Sequence, residues 1–199
     1  MERAEMRRLL DWKSSPQRKL LLLFGARQVG KSYLIDYEKY ALFNLEEDPR
    51  LARAFDGNLD PCTVISNLSQ ITGHTLDTEY MLYVFDEAQV SNRALTALKY
   101  FQEANSSHPV IAVGSLLGVA VNQGYHSLPV GKVNTMMLHP MTFDEFMGAT
   151  RHALMLEGIR ETYFDRRAYQ LHDQAMNLYR TYLLVGGMPE AVAAYARTG

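Results

Sequence analysis

Five short apolar runs are spaced along the chain, and glycine or polar residues bound them. The runs cover residues 20–24, 41–45, 81–85, 110–113 and 133–138. Continuous runs of this length, without alternation, are typical of strands that are buried on both faces of a sheet. Because helical patterns separate the runs, we predict an α/β fold in which helices cover both faces of a central, parallel, five-stranded sheet.

Polar residues and glycines predict where the intervening helices begin and end. Asp60 and Pro61 suit the start of a helix, since aspartate caps free N–H groups and proline needs no N–H partner there. Gly73 is placed to end that helix, and Ser91 is placed to cap the next one. A brief helix is also expected over residues 51–55.

The N-terminal segment, residues 3–12, has an amphipathic pattern that predicts a short helix. Met6, Leu9 and Leu10 lie on one side, and arginines lie opposite them. A basic helix is compatible with a nucleic-acid contact, but we interpret the arginines as a solvated face.

The pattern becomes helical throughout from residue 141 onward. Thr142 and Glu145 fit a capping box, and Met141 with Phe146 fits the hydrophobic staple that often accompanies one.

A long helix is predicted over residues 164–185, where apolar residues recur at helical spacing. Gly186 and Gly187 end this helix, and Pro189 begins a further helix that runs to the end of the sequence.

The first apolar run leads directly into an octet that fits the phosphate-binding pattern G-x-x-x-x-G-K-[ST]: Gly25, Ala26, Arg27, Gln28, Val29, Gly30, Lys31 and Ser32. Its glycines let the backbone curl so that several N–H groups face one anion, and the helix that follows adds the positive end of its dipole. Lys31 is expected to reach the β- and γ-phosphates, and the Ser32 hydroxyl to ligate Mg²⁺. Tyr33, the next residue, completes the predicted nucleotide-binding segment. The alternative is an ordinary glycine-bearing turn, but the flanking strand and helix favour phosphate binding.

Two adjacent carboxylates, Asp86 and Glu87, follow the third apolar run. Ligands of open α/β folds bind at the carboxyl ends of the strands, which is where this pair is expected. We predict that Asp86 holds Mg²⁺, directly or through water, and that Glu87 orients and deprotonates the attacking water. The alternative is a pair of acidic residues that cap the next helix.

Three further polar residues are candidates for the same site. Ser115 follows the fourth run and suits a sensor of the γ-phosphate, or else a serine that bonds its own turn. Lys132 precedes the fifth run and suits a group that stabilises the transferred phosphate, in its own site or in that of a neighbouring subunit. Gln89 is a candidate relay of the nucleotide state, or a solvated glutamine.

Composition indicates the cellular location of the protein more than the reaction that it catalyses. The 199 residues carry a net charge of −2, which gives no support to a nucleic-acid-binding surface over the whole chain. Cys62 is the only cysteine, so no intrachain disulfide can form and a reduced compartment is expected. No apolar run is long enough to span a membrane and the N-terminus lacks the apolar core of a signal peptide, so we predict a cytoplasmic location.

Six segments together resemble a group of prokaryotic AAA-type ATPases, similar to the archaeal-type ATPases of the additional-strand class: GARQVGKS, FNLEEDP, VFDEAQ, VGSLLGVA, LPVGKV and LHPMTFDEF. The resemblance covers residues 19–146, and the later LLVGGMPEAV is also similar to that group. It implies a P-loop NTPase three-layer sandwich in which the Ser115 strand lies between the loop strand and the Asp86 strand. Many relatives carry arginine where Lys132 stands and threonine where Val113 stands.

The resemblance also implies a domain organisation. Residues 1–140 are expected to form the ATPase core and residues 141–199 a helical lid. The relatives normally continue into a C-terminal domain of uncharacterised function, so we expect this chain to be a fragment of a longer protein.

These observations favour Mg²⁺-dependent ATP binding and hydrolysis that moves a lid or a partner. A nucleotide-dependent interaction switch with little turnover is the main alternative, and a small-molecule kinase is a third. An Asn-Lys-x-Asp motif for GTP and a Leu-Ser-Gly-Gly-Gln transporter signature are both absent from the sequence. The partner beyond ATP, whether a protein, a nucleic acid or a second copy of the chain, stays open.

Overall fold

The computed structural model describes residues 3–31, 40–76, 81–104, 108–114 and 133–198. Its strands are β1 (Leu21–Gly25), β2 (Tyr40–Asn44), β3 (Leu82–Asp86), β4 (Val110–Gly114) and β5 (Asn134–Leu138). Its α-helices are α1 (Ala4–Ser14), α2 (Pro61–Thr72), α3 (Asn92–Glu103), α4 (Phe143–Ala149), α5 (Ala153–Phe164), α6 (His172–Val185) and α7 (Pro189–Thr198). Two 3₁₀ helices, Pro49–Phe55 and Ala88–Val90, follow β2 and β3.

The five strands form one sheet in the order β2-β3-β4-β1-β5, and every pair of neighbours is parallel. The predicted α/β fold with a parallel five-stranded sheet is therefore confirmed. The strand that precedes Ser115, β4, lies between the loop strand β1 and the Asp86 strand β3, as the resemblance implied.

The chain divides into two compact units. The first, which we call the sheet unit, comprises Asp11–Gly25 and Lys31–Leu138. The second, which we call the helical unit, comprises Met1–Leu10, Ala26–Gly30 and His139–Gly199.

The core of the sheet unit contains a cluster of phenylalanines beneath the end of β3. Phe85 is 1% exposed, and its ring lies 5.6 Å from that of Phe43 and 5.7 Å from those of Phe55 and Phe101. Such aromatic pairs add to the free energy gained from burying the rings, so this cluster holds the end of β3 firmly in place.

The helical unit has a core of its own. Its buried members are Met141, Phe146, Met147, Leu178 and Val192. The predicted capping box at the start of α4 is confirmed, since Thr142 Oγ1 accepts the Glu145 N–H and Glu145 Oε2 accepts the Thr142 N–H. Met141 and Phe146, the predicted staple, both belong to this core.

The other predicted helix ends in the sheet unit agree with the structure. Asp60 Oδ2 accepts the Thr63 N–H at the start of α2, and Gly73 ends that helix with a φ of 72°. Ser91 Oγ accepts the Ala94 N–H at the start of α3.

The predicted helix over residues 164–185 is wrong in its first part. The structure has α5 ending at Phe164 and α6 beginning at His172, with a turn between them. Asp165 and Arg167 form an ion pair in that turn, and Arg166 has a φ of 55°, which no α-helix accommodates. The turn therefore interrupts the apolar spacing that predicted one continuous helix.

The interpretation of the N-terminal arginines is wrong for one of them. Arg7 and Arg8 are exposed, but Arg3 is only 4% exposed. Leu10, expected on the apolar side, is 47% exposed, whereas Leu9 is fully buried. Arg3 is buried because its guanidinium has partners far away in the sequence, which are described below.

Candidate functional site

The ends of three strands bring the predicted site residues to one edge of the sheet. Gly25 ends β1, Asp86 ends β3, and Gly114 ends β4 between them. In the register of the sheet Phe24 pairs with Gly114, and Phe85 pairs with Ala112. The phosphate loop and the acidic pair therefore leave the sheet at the same edge, one strand apart.

The phosphate loop has the backbone that an anion-binding turn requires. Gln28 and Gly30 have φ values of 61° and 92°, so two left-handed residues flank Val29. Backbones that alternate in this way direct successive N–H groups toward a common centre. Glycine is needed at position 30, because other residues rarely adopt this φ.

Lys31 lies at the end of the loop and is held close to its start. Its Nζ donates to the Gly25 carbonyl oxygen at 3.1 Å, and the residue is 9% exposed. A lysine at this position of a phosphate loop is suited to the phosphates of a nucleotide.

Asp86 ends β3 in half-buried surroundings that raise its pKa. Burial raises its pKa, and the negative charges of Glu87 and Glu46 raise it further. Its Oδ1 accepts the Glu87 N–H at 3.0 Å, and this bond and the charge of Lys31 lower the pKa but do not cancel the increase. A carboxylate in such surroundings is stabilised by a nearby cation, which fits the predicted role in holding Mg²⁺.

Glu87 has an unusual backbone conformation for a glutamate. Its φ of 49° and ψ of 42° are left-handed, and the residue is 9% exposed. Its Oε2 accepts a hydrogen bond from Gln89 Nε2. Left-handed backbone at a residue other than glycine is strained and concentrates at functional sites, so the geometry is compatible with a catalytic role.

Gln89 has one polar atom that the described residues leave unsatisfied. Its Oε1 is buried, and no hydrogen-bond partner for it exists among the residues that the structure describes. A buried acceptor in this state is commonly satisfied by a water molecule or a ligand. Gln89 is thus half-buried and lies beside the acidic pair through its bond to Glu87, and its role as a relay stays a prediction.

Four of the predicted site residues, Ser32, Tyr33, Ser115 and Lys132, lie outside the described residues, and their roles stay predictions. Of the two predicted Mg²⁺ ligands, the structure thus describes only Asp86. Within the described ranges no three His, Cys, Asp or Glu residues cluster as a metal site.

One residue at the phosphate loop was not anticipated from the sequence. Arg3 Nη1 donates to the Val29 carbonyl oxygen at 3.0 Å, although 26 positions separate the two residues. A local pattern contains no signal for such a contact, since an arginine at the edge of an amphipathic helix is normally solvated.

None of the helices in the described ranges combines the length and the apolar character that crossing a membrane requires.

Comparison with solved structures gives distant similarities. The Aeropyrum pernix ORC1 protein in complex with DNA has 16% identity and a TM-score of 0.44, over 76% of this chain and 48% of that one. Drosophila ORC bound to DNA has 15% identity and a TM-score of 0.49, over 89% and 54%. The Aeropyrum pernix ORC2 protein, in ADPNP-ADP complexes, has 16% identity and a TM-score of 0.44, over 76% and 49%. The chain thus spans about half the length of these proteins.

A comparison with curated proteins finds no match to the chain. A comparison with protein families does find one. A family model described as "AAA domain" matches residues 17–147, which is more than half of the sequence and includes the phosphate loop and the acidic pair. The chain therefore belongs to the AAA domain family.

Proposed function

We propose that this chain binds ATP together with Mg²⁺ and hydrolyses it, and that the cycle changes the conformation of the helical unit or of a partner. One observation carries the proposal. A phosphate loop and an acidic pair leave the same edge of a parallel sheet, with one strand between them, and the charge of Lys31 acts on Asp86.

Each residue has a distinct task in this proposal. The main-chain N–H groups of the loop and the Lys31 ammonium bind the phosphate oxygens. Asp86 and Ser32 hold Mg²⁺, which neutralises negative charge on the phosphates when it is bound. Ser115 and Lys132 remain candidates for contacts with the terminal phosphate.

Glu87 is the proposed general base. A water oxygen attacks the γ-phosphorus, the bond between that phosphorus and the bridging oxygen breaks, and the water proton passes to the Glu87 carboxylate. Gln89, bound to that carboxylate, keeps it oriented. General-base catalysis of this type contributes about 10²–10⁴-fold to a rate.

The proposed effect of nucleotide binding on the helical unit rests on the unit to which the phosphate loop belongs. Loop residues Ala26–Gly30 belong to the same compact unit as residues 139–199. A change in the loop on nucleotide binding therefore acts directly on the unit that contains the C-terminal helices.

Phosphate release and calorimetric binding of Mg-ATP test the proposal together. Wild type should bind and hydrolyse ATP, Lys31→Ala should lose binding, and Glu87→Gln should bind but hydrolyse at least about 100-fold more slowly. Glu47→Gln is the matched control, because Glu47 is an exposed acid that follows the neighbouring strand β2. Wild-type hydrolysis by Glu87→Gln would exclude Glu87 as the base, and absence of binding by wild type would refute the whole proposal.

A nucleotide-dependent switch with little turnover is the second candidate function. The observation in its favour is the hydrogen bond from Gln89 to Glu87 Oε2, because it engages one of the two carboxylate oxygens that could otherwise accept the water proton. In that case wild type binds Mg-ATP but releases no phosphate, and Gln89→Ala restores turnover if this bond is the restraint.

A further inference from the structure

The guanidinium of Arg3 is buried at a junction of three segments in the helical unit. Its side chain is 3% exposed. Nη1 donates to the Val29 carbonyl oxygen at 3.0 Å, Nη2 to the His139 carbonyl oxygen at 2.6 Å, and Nε to Glu145 Oε1 at 3.0 Å. A buried guanidinium is tolerated only when its donors are satisfied, and here three of its nitrogen atoms each have an acceptor.

The bond to Val29 fixes the orientation of a peptide group inside the phosphate loop. Val29 is fully buried, and the peptide that joins it to Gly30 contains the carbonyl that Arg3 binds. In a trans peptide the C=O and the N–H point to opposite sides. Because Arg3 holds the Val29 carbonyl, the Gly30 N–H faces away from Arg3.

This orientation is one that the loop needs in order to bind phosphate. Phosphate loops work through main-chain N–H groups, and a carbonyl turned toward the anion would repel it. Gly30 has a φ of 92°, but glycine adopts positive and negative φ values about equally. The residue itself therefore gives the Val29–Gly30 peptide no preference for one orientation. A contact outside the loop therefore decides which group of this peptide faces the ligand.

The bond between Arg3 and Glu145 connects this peptide to helix α4. Glu145 Oε1 accepts from Arg3 Nε and from the Ala4 N–H at 2.9 Å, while Glu145 Oε2 accepts the Thr142 N–H at 2.8 Å. One carboxylate thus caps α4 and binds the guanidinium that holds the loop. A displacement of the start of α4 would be transmitted to the Val29 carbonyl through this pair.

We propose that Arg3 is a positioning residue for nucleotide binding, which orients the Val29–Gly30 peptide of the phosphate loop and couples that orientation to the capped start of α4. The inference rests on the proposed binding of ATP. Arg3 also lies 3.9 Å from Glu5 Oε2, but the coupling is assigned to its closer ion pair, with Glu145 at 3.0 Å, and to the Val29 carbonyl.

The test separates affinity from stability. Dissociation constants for Mg-ATP and Mg-ADP are measured by calorimetry, and the unfolding midpoint is measured without nucleotide. Arg3→Gln should weaken both nucleotides by about 5- to 150-fold, the range of typical coupling between sites. Arg7→Gln is the matched control, because Arg7 is exposed on the adjoining helix and should leave both affinities unchanged.

A second variant covers the case in which Arg3→Gln does not fold. Glu145→Gln keeps an acceptor for the Thr142 N–H but loses the charge that pairs with Arg3, so it should weaken nucleotide binding while α4 stays formed. In the double variant the loss of affinity should be smaller than the sum of the two single losses, because each substitution breaks the same Arg3–Glu145 pair.

The outcomes distinguish a failure of the proposed ATP binding from a failure of the positioning role of Arg3. If wild type binds no Mg-ATP, the proposed function fails and this inference fails with it. If wild type binds but Arg3→Gln or, should that not fold, Glu145→Gln binds within two-fold of wild type, ATP binding stands and the positioning role is overturned. A lowered midpoint with unchanged affinity is the result of a merely structural Arg3.

Discussion

The contact between Gly187 and Met141 allows a stability prediction for the helical unit. A Cβ built on Gly187 would overlap the Met141 carbonyl oxygen and lie 3.0 Å from both Met141 N and Pro140 Cβ. The Met141 N–H donates to the Gly187 carbonyl at 2.7 Å, and the Met141 carbonyl accepts the Tyr182 hydroxyl at 2.9 Å. Gly187→Ala must therefore displace backbone that makes two hydrogen bonds.

The magnitude follows from these two effects. Inserting a methyl group into closely packed structure costs about 1–3 kcal/mol. Leaving a buried donor without its acceptor costs about 1–3 kcal/mol more. Because partial relaxation relieves some of each, we expect Gly187→Ala to destabilise the helical unit by about 2–4 kcal/mol.

Hydrogen exchange is the appropriate assay, since local opening of one unit need not unfold the other. At 1.36 kcal/mol per factor of ten, exchange of peptides from α6 and α7 should accelerate by about 30- to 900-fold. Gly148→Ala is the matched control, because a Cβ there meets no atom within 4 Å and alanine favours the helix. An acceleration below about three-fold in Gly187→Ala would show that the backbone yields freely, which contradicts the reasoning.

Three further predictions concern the end of β3. The raised pKa of Asp86 means that the ionised carboxylate lowers stability as pH rises above its ordinary value of 3.8. Asp86→Asn should therefore be more stable than wild type near pH 7, with a difference in urea midpoint that disappears as the pH falls to about 3. Glu87→Asn should relieve left-handed strain and raise stability by up to about 1 kcal/mol while abolishing phosphate release. Arg166→Asn is the control, because Arg166 has a φ of 55° in the turn after α5, and it should give a similar gain in stability without loss of phosphate release. A Glu87→Asn variant less stable than wild type would count against strain at Glu87. Phe85→Leu should cost about 2 kcal/mol in urea unfolding, because three ring pairs worth about 0.5–1.5 kcal/mol each are lost and only partly replaced.

The strands were predictable because their signal is local. Each apolar run lies within one residue of the observed strand, as in the predicted 110–113 and the observed Val110–Gly114. Caps at Asp60 and Ser91 were equally readable, since the side chain and the N–H group that it accepts are three residues apart. The order of the strands was not local, and it came from the resemblance to AAA-type ATPases.

The helices after α4 were less predictable, and α5 shows why. Only some of its apolar residues face inward: Met155, Leu156 and Ile159 pack against the core of the helical unit, whereas Leu154 is 84% exposed and Phe164 is 79% exposed. His152, before its first residue, makes no side-chain cap. With apolar residues on both inward and exposed positions and no side-chain cap, the segment gives only a weak helical pattern, and the predicted range 164–185 therefore includes its last residue, Phe164.

Arg3 could not be predicted for a different reason. A charged residue becomes buried when acceptors converge on it, and its acceptors come from Val29, His139 and Glu145. Those positions are brought together only by the complete fold. Charge patterning along one helix therefore identified the exposed arginines and missed the buried one.

The acidic pair shows how structure distinguishes two residues that the sequence treats as neighbours. Asp86 is the last residue of β3, so its backbone is still that of a strand. Glu87 follows in left-handed backbone and begins a turn. Successive side chains along an extended strand point to opposite faces, and the turn changes this relation for Glu87 alone. The conformation costs free energy that asparagine or glycine would avoid, so a glutamate persists there only if its longer carboxylate serves a purpose. Its bond to Gln89 and the negative charges around Asp86 are the features on which the two proposed roles rest, a general base for Glu87 and a cation ligand for Asp86.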